Sequence, residues 1–374
     1  MITIDEFYKE AKIFLTRLYE ESKELNIDLD RFTLDHLCWR VDNEIHYVKT
    51  KKTLSTLGVL LTETLVNGRP IATYKLDKPI VYKKQSIRVI ECPAPKEGSN
   101  YPNGFEHAEA LLDEDFTLFI NQFPELKFET SRLNQKFNPE LILKLPTTNL
   151  KFHTHSLERV IELESKITLV WDFDGTILDG RDTYRIIKSS LEILLNTNLK
   201  EDDFKSKMRS TFPELFQNYN LPKSQWTDFL KIFYQQHLKT DVLVHEKIKK
   251  LILNLNKNPK IEQYIWTARD LATTELILKN EKMDQVFRRI SHFQSPIAKP
   301  DPLGVYSLTD GQDPKRILLI GDSPVDKMTA DKLGATFIAA TWDPTHKLNE
   351  KGVDLCQLET LIKNALLSLE HLGG

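Results

Sequence analysis

The sequence predicts a two-domain protein of mixed α+β and α/β class, with a doubly wound parallel sheet in its C-terminal half. Its length of 374 residues is typical of two domains. From Ile167 onward, near-continuous apolar runs alternate with helical patterns, as in parallel strands that are covered on both faces. Within residues 34–156, the order strand, helix, strands occurs twice, which is a weak signal of an internal repeat.

Composition and charge limit the classes of function. Apolar residues make up 40% of the chain and charged residues 28%, which is ordinary for a globular protein with a sizeable core. The formal net charge of -3 provides no basic field for nucleic acid or acidic membranes. The start lacks the features of a signal peptide, and no apolar stretch is long enough to span a membrane. Cys38, Cys92 and Cys356 form no CxxC pair, which suits a reducing compartment, so we expect a cytoplasmic protein. From the net charge and the lack of an apolar span, we expect that it binds neither nucleic acid nor membrane.

The N-terminal domain, assigned to residues 1–160, is predicted to begin with an amphipathic helix over residues 2–25, because Phe7, Phe14 and Leu18 recur at helical spacing. A stretch rich in Pro, Gly and Asn at 93–104 predicts a loop. The predicted strands are 34–41, 72–76, 86–91, 105–112, 140–145 and 149–156, with helices over 44–57 and 115–123.

The C-terminal domain, assigned to residues 161–374, is entered through a charged helix near 157–166. Apolar runs predict its parallel strands at 167–172, 263–266, 316–321 and 336–341. The sequence from about 180 to 245 is mostly helical and lacks such runs. We therefore expect a helical cap inserted after the first strand.

Polar motifs follow these strands, at the sheet edge where open α/β sheets bind ligands. They are Asp172 and Asp174 in DFDGT, Thr267 in WTAR, Lys299 in AKPDP, and Asp322 and Asp326 in GDSPVD. Each motif alone has an ordinary explanation: DxD is common in loops, and GDSPVD is also a good start for a helix. Their joint occurrence, in this order and at these strand ends, predicts a catalytic site.

The residue types suit phosphoryl transfer, which needs a nucleophile, an acid for the leaving oxygen and neutralisation of charge. Asp172 is the expected nucleophile, since a carboxylate can form an aspartyl-phosphate. Asp174 is two residues further on and is expected to act as general acid and then as general base. Lys299 adds a fixed positive charge, and Thr267 is expected to hold phosphoryl oxygens.

A divalent cation is expected in the same place, because paired carboxylates would otherwise repel a phosphate. Mg²⁺ prefers oxygen ligands and commonly bridges carboxylates and phosphates. Asp172, Asp322 and Asp326, with the main-chain carbonyl of Asp174, are the expected ligands.

Taken together, these motifs and the position of the helical block resemble the haloacid dehalogenase-like superfamily of phosphotransferases. The resemblance covers the C-terminal half and implies a magnesium-dependent phosphoric monoester hydrolase. Because a cap encloses the site, a small phosphorylated metabolite is the expected substrate. A phosphomutase of the same superfamily is the alternative. Arg269 departs from the usual pattern, and contact with substrate and an ion pair both remain open for it.

Four strands of the N-terminal domain each offer one good metal ligand when alternate residues are assigned to the same face. The candidates are His36, Glu91, His107 and His153, with His155 as an alternative to the last. Two or three imidazoles with a carboxylate suit zinc, iron, manganese or nickel.

Several segments resemble the YecM-like family of the vicinal-oxygen-chelate (glyoxalase/bleomycin-resistance) superfamily. They are DHLCWRV (35–41), NGRPI (67–71), residues 87–93, YPNGFEHAE (101–109) and LKFHTHSLE (150–158). The resemblance implies two βαβββ modules around a shared cavity, with metal ligands on the first and last strand of each, and the four candidates occupy those places. It implies no particular reaction, so this domain is also a candidate metal or metabolite sensor that regulates the phosphatase.

Overall fold

The computed structural model describes residues 3–66, 68–96, 98, 102–135, 137–208, 211–348 and 352–371. The chain divides into two compact units: the first comprises the described residues up to Glu164 together with Glu370 and His371, and the second comprises Ser165–Leu369. Asn67 and Tyr101, which belong to two of the quoted segments, lie outside the described residues.

The first unit is built on one eight-stranded sheet with the strand order β2-β3-β4-β1-β5-β8-β7-β6. One module consists of β1 (Thr33–Arg40), α2 (Glu44–Leu57), β2 (Gly58–Val66), β3 (Arg69–Tyr82) and β4 (Gln85–Pro93). The other consists of β5 (Gly104–Leu111), α3 (Phe116–Gln122), β6 (Phe128–Arg132), β7 (Glu140–Lys144) and β8 (Asn149–His153). In each module the last strand runs parallel to the first, and β1 and β5 pair antiparallel at the centre. The two βαβββ modules expected from the resemblance are therefore present.

Helix α1 (Ile4–Glu24) precedes the modules and packs on one face of the sheet. A reciprocal capping box between Thr3 and Glu6 satisfies its first backbone donors. Phe7 is buried and its ring lies 5.6 Å from that of Trp39 on β1. Because side chains alternate along a strand, His36 and Cys38 then point to the opposite face, away from this core.

The second unit contains a five-stranded parallel sheet with the order β11-β10-β9-β12-β13. Helix α4 (Leu157–Glu164) ends just before it. Its strands are β9 (Ile167–Trp171), β10 (Ile261–Trp266), β11 (Ile290–Ser291), β12 (Ile317–Gly321) and β13 (Thr336–Ala339). Every residue of β9, β10 and β12 is buried, as their continuous apolar runs predict.

Four helices follow β9 and form the cap: α5 (Gly180–Leu195), α6 (Glu201–Lys207), α7 (Phe212–Asn218) and α8 (Lys223–His237). They share an aromatic core of their own, in which Phe212, Phe216 and Phe229 contact one another. The remaining helices are α9 (Glu246–Leu255), α10 (Leu271–Asn280), α11 (Leu303–Leu308), α12 (Pro324–Leu333) and α13 (Leu355–His371). Across the described ranges, none of the helices combines the length and apolar content needed to cross a membrane.

Candidate functional site

The loop after β9 brings Asp172 and Asp174 to the carboxyl edge of the sheet, beside the loop after β12. Gly175 makes the turn possible, since its φ of +80° is a left-handed conformation. A Cβ atom at Gly175 would also lie 2.5 Å from Asp322 Oδ2. On the other side, Ser323 and Asp326 cap α12 reciprocally, which fixes Asp326 in the first turn.

These loops gather three buried carboxylates around one buried ammonium group. Oxygens of Asp172, Asp322 and Asp326 all lie within 4.8 Å of one another. The Nζ atom of Lys299 lies 2.9 Å from Asp172 Oδ1 and 2.6 Å from Asp326 Oδ1. The sequence candidates for nucleophile, cation ligands and fixed positive charge are thus brought together at the carboxyl ends of β9 and β12.

Negative charge exceeds positive charge in this cluster. Burial, assisted by the neighbouring carboxylates, raises the pKa of Asp172 to about 6 and that of Asp322 to about 9. Burial opposes the charge on Lys299, but Asp172 and Asp326 raise its pKa above the ordinary value. A buried all-oxygen donor set with surplus negative charge fits a hard divalent cation such as Mg²⁺.

A cavity of about 310 Å³ lies between this cluster and the cap. Its core side includes Asp172, Asp174, Thr267, Lys299 and Asp322. Its cap side is largely apolar and includes Tyr184, Ile187, Phe212, Leu215 and Phe233. The catalytic candidates Asp172, Asp174, Thr267 and Lys299 therefore all line one cavity, which the cap helices partly close.

Lys205 and Lys207, two basic residues of cap helix α6, have different surroundings. Lys205 lines the cavity and its Nζ lies 3.5 Å from Glu201 Oε1. Lys207 pairs with Asp203 on the surface of the same helix. Arg209 lies outside the described residues.

Arg269 is fully buried and forms an ion pair with Asp174, which is one of the two roles left open by the sequence. Its Nε donates to Asp174 Oδ2 at 3.0 Å, and its Nη2 donates to Asp174 Oδ1. Burial alone would raise the pKa of Asp174, but Arg269 holds it below its ordinary value. Nη1 of Arg269 lies 2.6 Å from Nε2 of His237, at the end of cap helix α8. Sequence reasoning missed His237, because no motif spacing relates a cap helix to the sheet edge.

In the first unit, Glu109 on β5 lies at the centre of the candidate metal ligands. The Nε2 atoms of His36, His107 and His153 lie 3.4, 3.2 and 2.7 Å from its carboxylate oxygens. Glu91 on β4 lies 3.8 Å from His107 Nε2. Sequence reasoning did not select Glu109, although it lies two residues after His107, because a glutamate in a strand more often lies on a face exposed to solvent.

Two of the histidines are oriented by neighbouring carboxylates. Nδ1 of His36 lies 2.8 Å from Asp35, and Nδ1 of His107 lies 2.6 Å from Glu106. A carboxylate on Nδ1 fixes the ring and leaves Nε2 as the free ligand atom, which is the usual arrangement around metal-bound histidine. Both Nε2 atoms accordingly face Glu109.

His153 reaches Glu109 from the side of β7 and β8. Lys151 lies 3.0 Å from Glu109 and 3.1 Å from Glu140, so this side holds a second acidic group and a cation. Burial by itself would lower the pKa of His153, but Glu109 and Glu140 raise it to about 9. His155 lies beyond the end of β8 at His153, so strand alternation does not extend to it.

Strand β5 departs from strict alternation. Alternation would place Phe105 and His107 on one face of β5, but Phe105 packs with Phe7 and Trp39, whereas His107 faces Glu109. The pairing of β1 with β5 shifts register between Cys38 and Trp39. Such a bulge places an extra residue in one strand and reverses the alternation beyond it.

Residues 169–340, which include the cap and most of the sheet of the second unit, match the family model described as haloacid dehalogenase-like hydrolase. Residues 3–164 match the model of the YecM protein family. The resemblances to the haloacid dehalogenase-like hydrolases and to the YecM family are therefore confirmed, each for its own part of the chain.

Individual relatives cover one part or the other. Protein YecM of Escherichia coli strain K12 is 28% identical over 167 residues, which are 40% of this chain and 88% of that protein. A solved hydrolase of the haloacid dehalogenase-like family from Streptococcus pneumoniae is 19% identical, covers 55% of this chain and 91% of its own, and has a TM-score of 0.41. A predicted phosphoglycolate phosphatase from Haemophilus somnus 129pt is 21% identical, covers 49% and 89%, and has a TM-score of 0.42.

Proposed function

We propose that this hydrolase is a magnesium-dependent phosphatase for a small phosphorylated metabolite, with Asp172 as the transiently phosphorylated group. The observation that carries the proposal is the cluster of Asp172, Asp322 and Asp326 around Lys299, buried beneath the capped cavity. A cavity of about 310 Å³ suits a metabolite rather than a macromolecule.

Asp172, Asp322 and Asp326, with the main-chain carbonyl of Asp174, would hold Mg²⁺. The bound ion would supply positive charge that lets a phosphate dianion approach these carboxylates. Lys299 contributes a second, fixed positive charge beside Asp172, and Thr267 lines the same cavity.

In the first step, an oxygen of Asp172 forms a bond to phosphorus while the bond to the leaving oxygen breaks. A phosphate dianion bound beside Asp174 would raise the pKa of this carboxyl above the lowered value that Arg269 sets, so that Asp174 can take up a proton as substrate binds. Asp174 gives that proton to the leaving oxygen, so a neutral alcohol departs. In the second step, Asp174 takes a proton from water as the water oxygen attacks phosphorus, which releases phosphate and restores the Asp172 carboxylate. Transfer to a second hydroxyl instead of water would make the enzyme a phosphomutase.

The test is a screen of phosphorylated metabolites with Mg²⁺, using the full chain and its Asp172→Asn variant. We expect the variant to lose activity by at least about a thousandfold, because the nucleophile is removed. Asp331→Asn is the matched control, since Asp331 is an exposed acid on α12, the helix that carries Asp326. Release of inorganic phosphate identifies a phosphatase, whereas formation of an isomer identifies a mutase. Full activity of Asp172→Asn would exclude the covalent route.

We also propose that the first unit binds one divalent transition metal ion. The observation that favours it is the convergence of three histidine Nε2 atoms on Glu109, with carboxylates behind two of the rings. Three imidazoles and a carboxylate suit zinc, iron, manganese or nickel. His36, His107 and His153 would act as ligands together with Glu109, and Glu91 lies close enough to contribute.

Metal analysis of the purified full chain tests this second proposal. We expect His36→Ala and His107→Ala each to lose the bound transition metal, because each removes an oriented ligand. His46→Ala is the matched control, since His46 is a half-buried histidine of the same unit that pairs with Asp42 and contacts none of the proposed ligands. Unchanged metal content in both ligand variants would defeat the assignment.

A further inference from the structure

The guanidinium group of Arg269 uses all of its donors within the protein. Arginine has five N–H donors in a rigid fork. Nε and Nη2 contact the two oxygens of Asp174, and Nη2 also donates to Thr183 Oγ1 at 2.7 Å. Nη1 contacts His237 Nε2 at 2.6 Å and Thr273 Oγ1 at 3.4 Å. Since Arg269 is also only 1% exposed, its contacts within the described residues leave no donor for a substrate.

These partners come from both sides of the cavity. Asp174 and Arg269 lie in loops that follow strands of the core, whereas Thr183 and His237 belong to cap helices α5 and α8. Burial and the nearby guanidinium lower the pKa of His237 to about 3, so its ring is neutral and Nε2 can accept a hydrogen bond from Nη1. The cap therefore supplies acceptors that a buried arginine would otherwise lack.

We propose that Arg269 is a positioning residue, which holds the Asp174 carboxylate towards the leaving oxygen, and that His237 fixes Arg269 from the cap. This positioning role rests on the acid–base role proposed above for Asp174. The two-point contact between guanidinium and carboxylate restrains rotation of the Asp174 side chain, which a single hydrogen bond would not do. A cap displaced from the core would remove the His237 acceptor and leave Arg269 partly unpaired. The orientation of the acid thus depends on the position of the cap.

The test compares two esters that differ in their need for an acid. p-Nitrophenyl phosphate has a good leaving group that departs without a proton, whereas an alkyl phosphate needs protonation of its leaving oxygen. The alkyl phosphate used in this test is the one that the wild-type protein hydrolyses best in the metabolite screen described above. The value of kcat/KM reports the phosphoryl transfer to Asp172, and its ratio between the two esters does not depend on how much of a variant is folded.

We expect Arg269→Met to lower kcat/KM for the alkyl phosphate by about a hundredfold, the usual range of general acid catalysis, with little change for p-nitrophenyl phosphate. Arg269→Lys keeps the charge but not the fork, so we expect a smaller loss with the same preference. His237→Ala should shift the ratio in the same direction, and His237→Gln, which retains an acceptor, should restore part of it. Arg289→Met, at a half-exposed arginine paired with Asp310, is the control and should leave the ratio unchanged.

Equal losses for the two esters would show a merely structural role and overturn the inference. A rise in KM with an unchanged ratio would assign Arg269 to substrate binding and would overturn it too. If the methionine variant yields no folded protein, the ratio for the lysine variant decides between the same outcomes. A wild-type chain that hydrolyses neither ester contradicts the proposed function itself, whereas active wild type with an unchanged ratio in the variants contradicts this inference alone.

Discussion

At the scale of single residues, the site of the second unit buries several charged side chains, and burial disfavours their ionised forms unless an opposite charge compensates. Three buried carboxylates repel one another, and each isolated charge would favour its neutral form. Lys299 relieves part of this repulsion through contacts with Asp172 and Asp326. Burial, together with Asp172 and Asp326, still raises the pKa of Asp322 to about 9, and a bound cation would favour its ionised form.

Gly175 offers a test of this geometry. We expect Gly175→Ala to lower the free energy of unfolding by about 1–3 kcal/mol, since alanine is strained at a φ of +80°. The new Cβ would also displace Asp322, so a higher Mg²⁺ concentration should be needed for half-maximal activity.

Urea denaturation and a Mg²⁺ titration measure the two effects. Gly68→Ala is the control, because Gly68 also has a positive φ, +75°, but none of the described atoms lies within 4 Å of the position that its Cβ would take. It should show the strain without any change in Mg²⁺ dependence. A normal Mg²⁺ titration for Gly175→Ala would contradict the close approach to Asp322.

The residues found by sequence reasoning are those that follow recognisable strands. Asp172, Lys299 and Asp322 each follow an apolar run or belong to a known motif. Glu109 and His237 were missed for different physical reasons. The sequence pattern of a charged residue in an alternating strand is the same whether that face of the strand is exposed to water or packs against other polar groups. A histidine on a cap helix reaches the site only through tertiary packing.

At the scale of secondary structure, strands buried on both faces were predicted well because burial leaves a continuous apolar run. Strands β2 and β6 were missed because they are the edges of their sheet. Edge strands are partly exposed, as Val59 and Leu65 on β2 are, so burial does not impose a clean pattern on them. The bulge in β5, opposite Cys38 and Trp39, was also unpredictable, because register depends on the partner strand.

The cap helices make a prediction of their own. Phe229 on α8 is fully buried and its ring contacts Phe212, Phe216 and Phe233. We expect Phe229→Ala to destabilise the second unit by about 3–5 kcal/mol, since it leaves a cavity in a small aromatic core.

Chemical denaturation followed by tryptophan fluorescence measures this loss, because Trp226 packs against Phe216 in the same core. Leu238→Ala is the control, since Leu238 ends the same helix but is exposed. A loss below about 1 kcal/mol for Phe229→Ala would mean that the cap is not held together by this aromatic cluster.

At the scale of the whole molecule, the chain joins two units that place polar residues in similar ways. In each, a sheet carries the candidate ligands on neighbouring strands, so residues far apart in sequence meet at one point. The first unit gathers nitrogen and oxygen donors on the face of its sheet, whereas the second gathers oxygen donors at the carboxyl edge. This difference in donors predicts a transition metal for the first and Mg²⁺ for the second.

The central claim is that Asp172 carries the phosphoryl group during turnover. Borohydride reduces an aspartyl-phosphate to homoserine, and mass spectrometry of the digested chain locates the change. The reaction is run with Mg²⁺ and the best substrate, in wild type and in Asp174→Asn, where slower hydrolysis should raise the trapped fraction. We predict homoserine at position 172 in both proteins. Rapid release of phosphate with an unmodified Asp172 in both proteins would contradict the account.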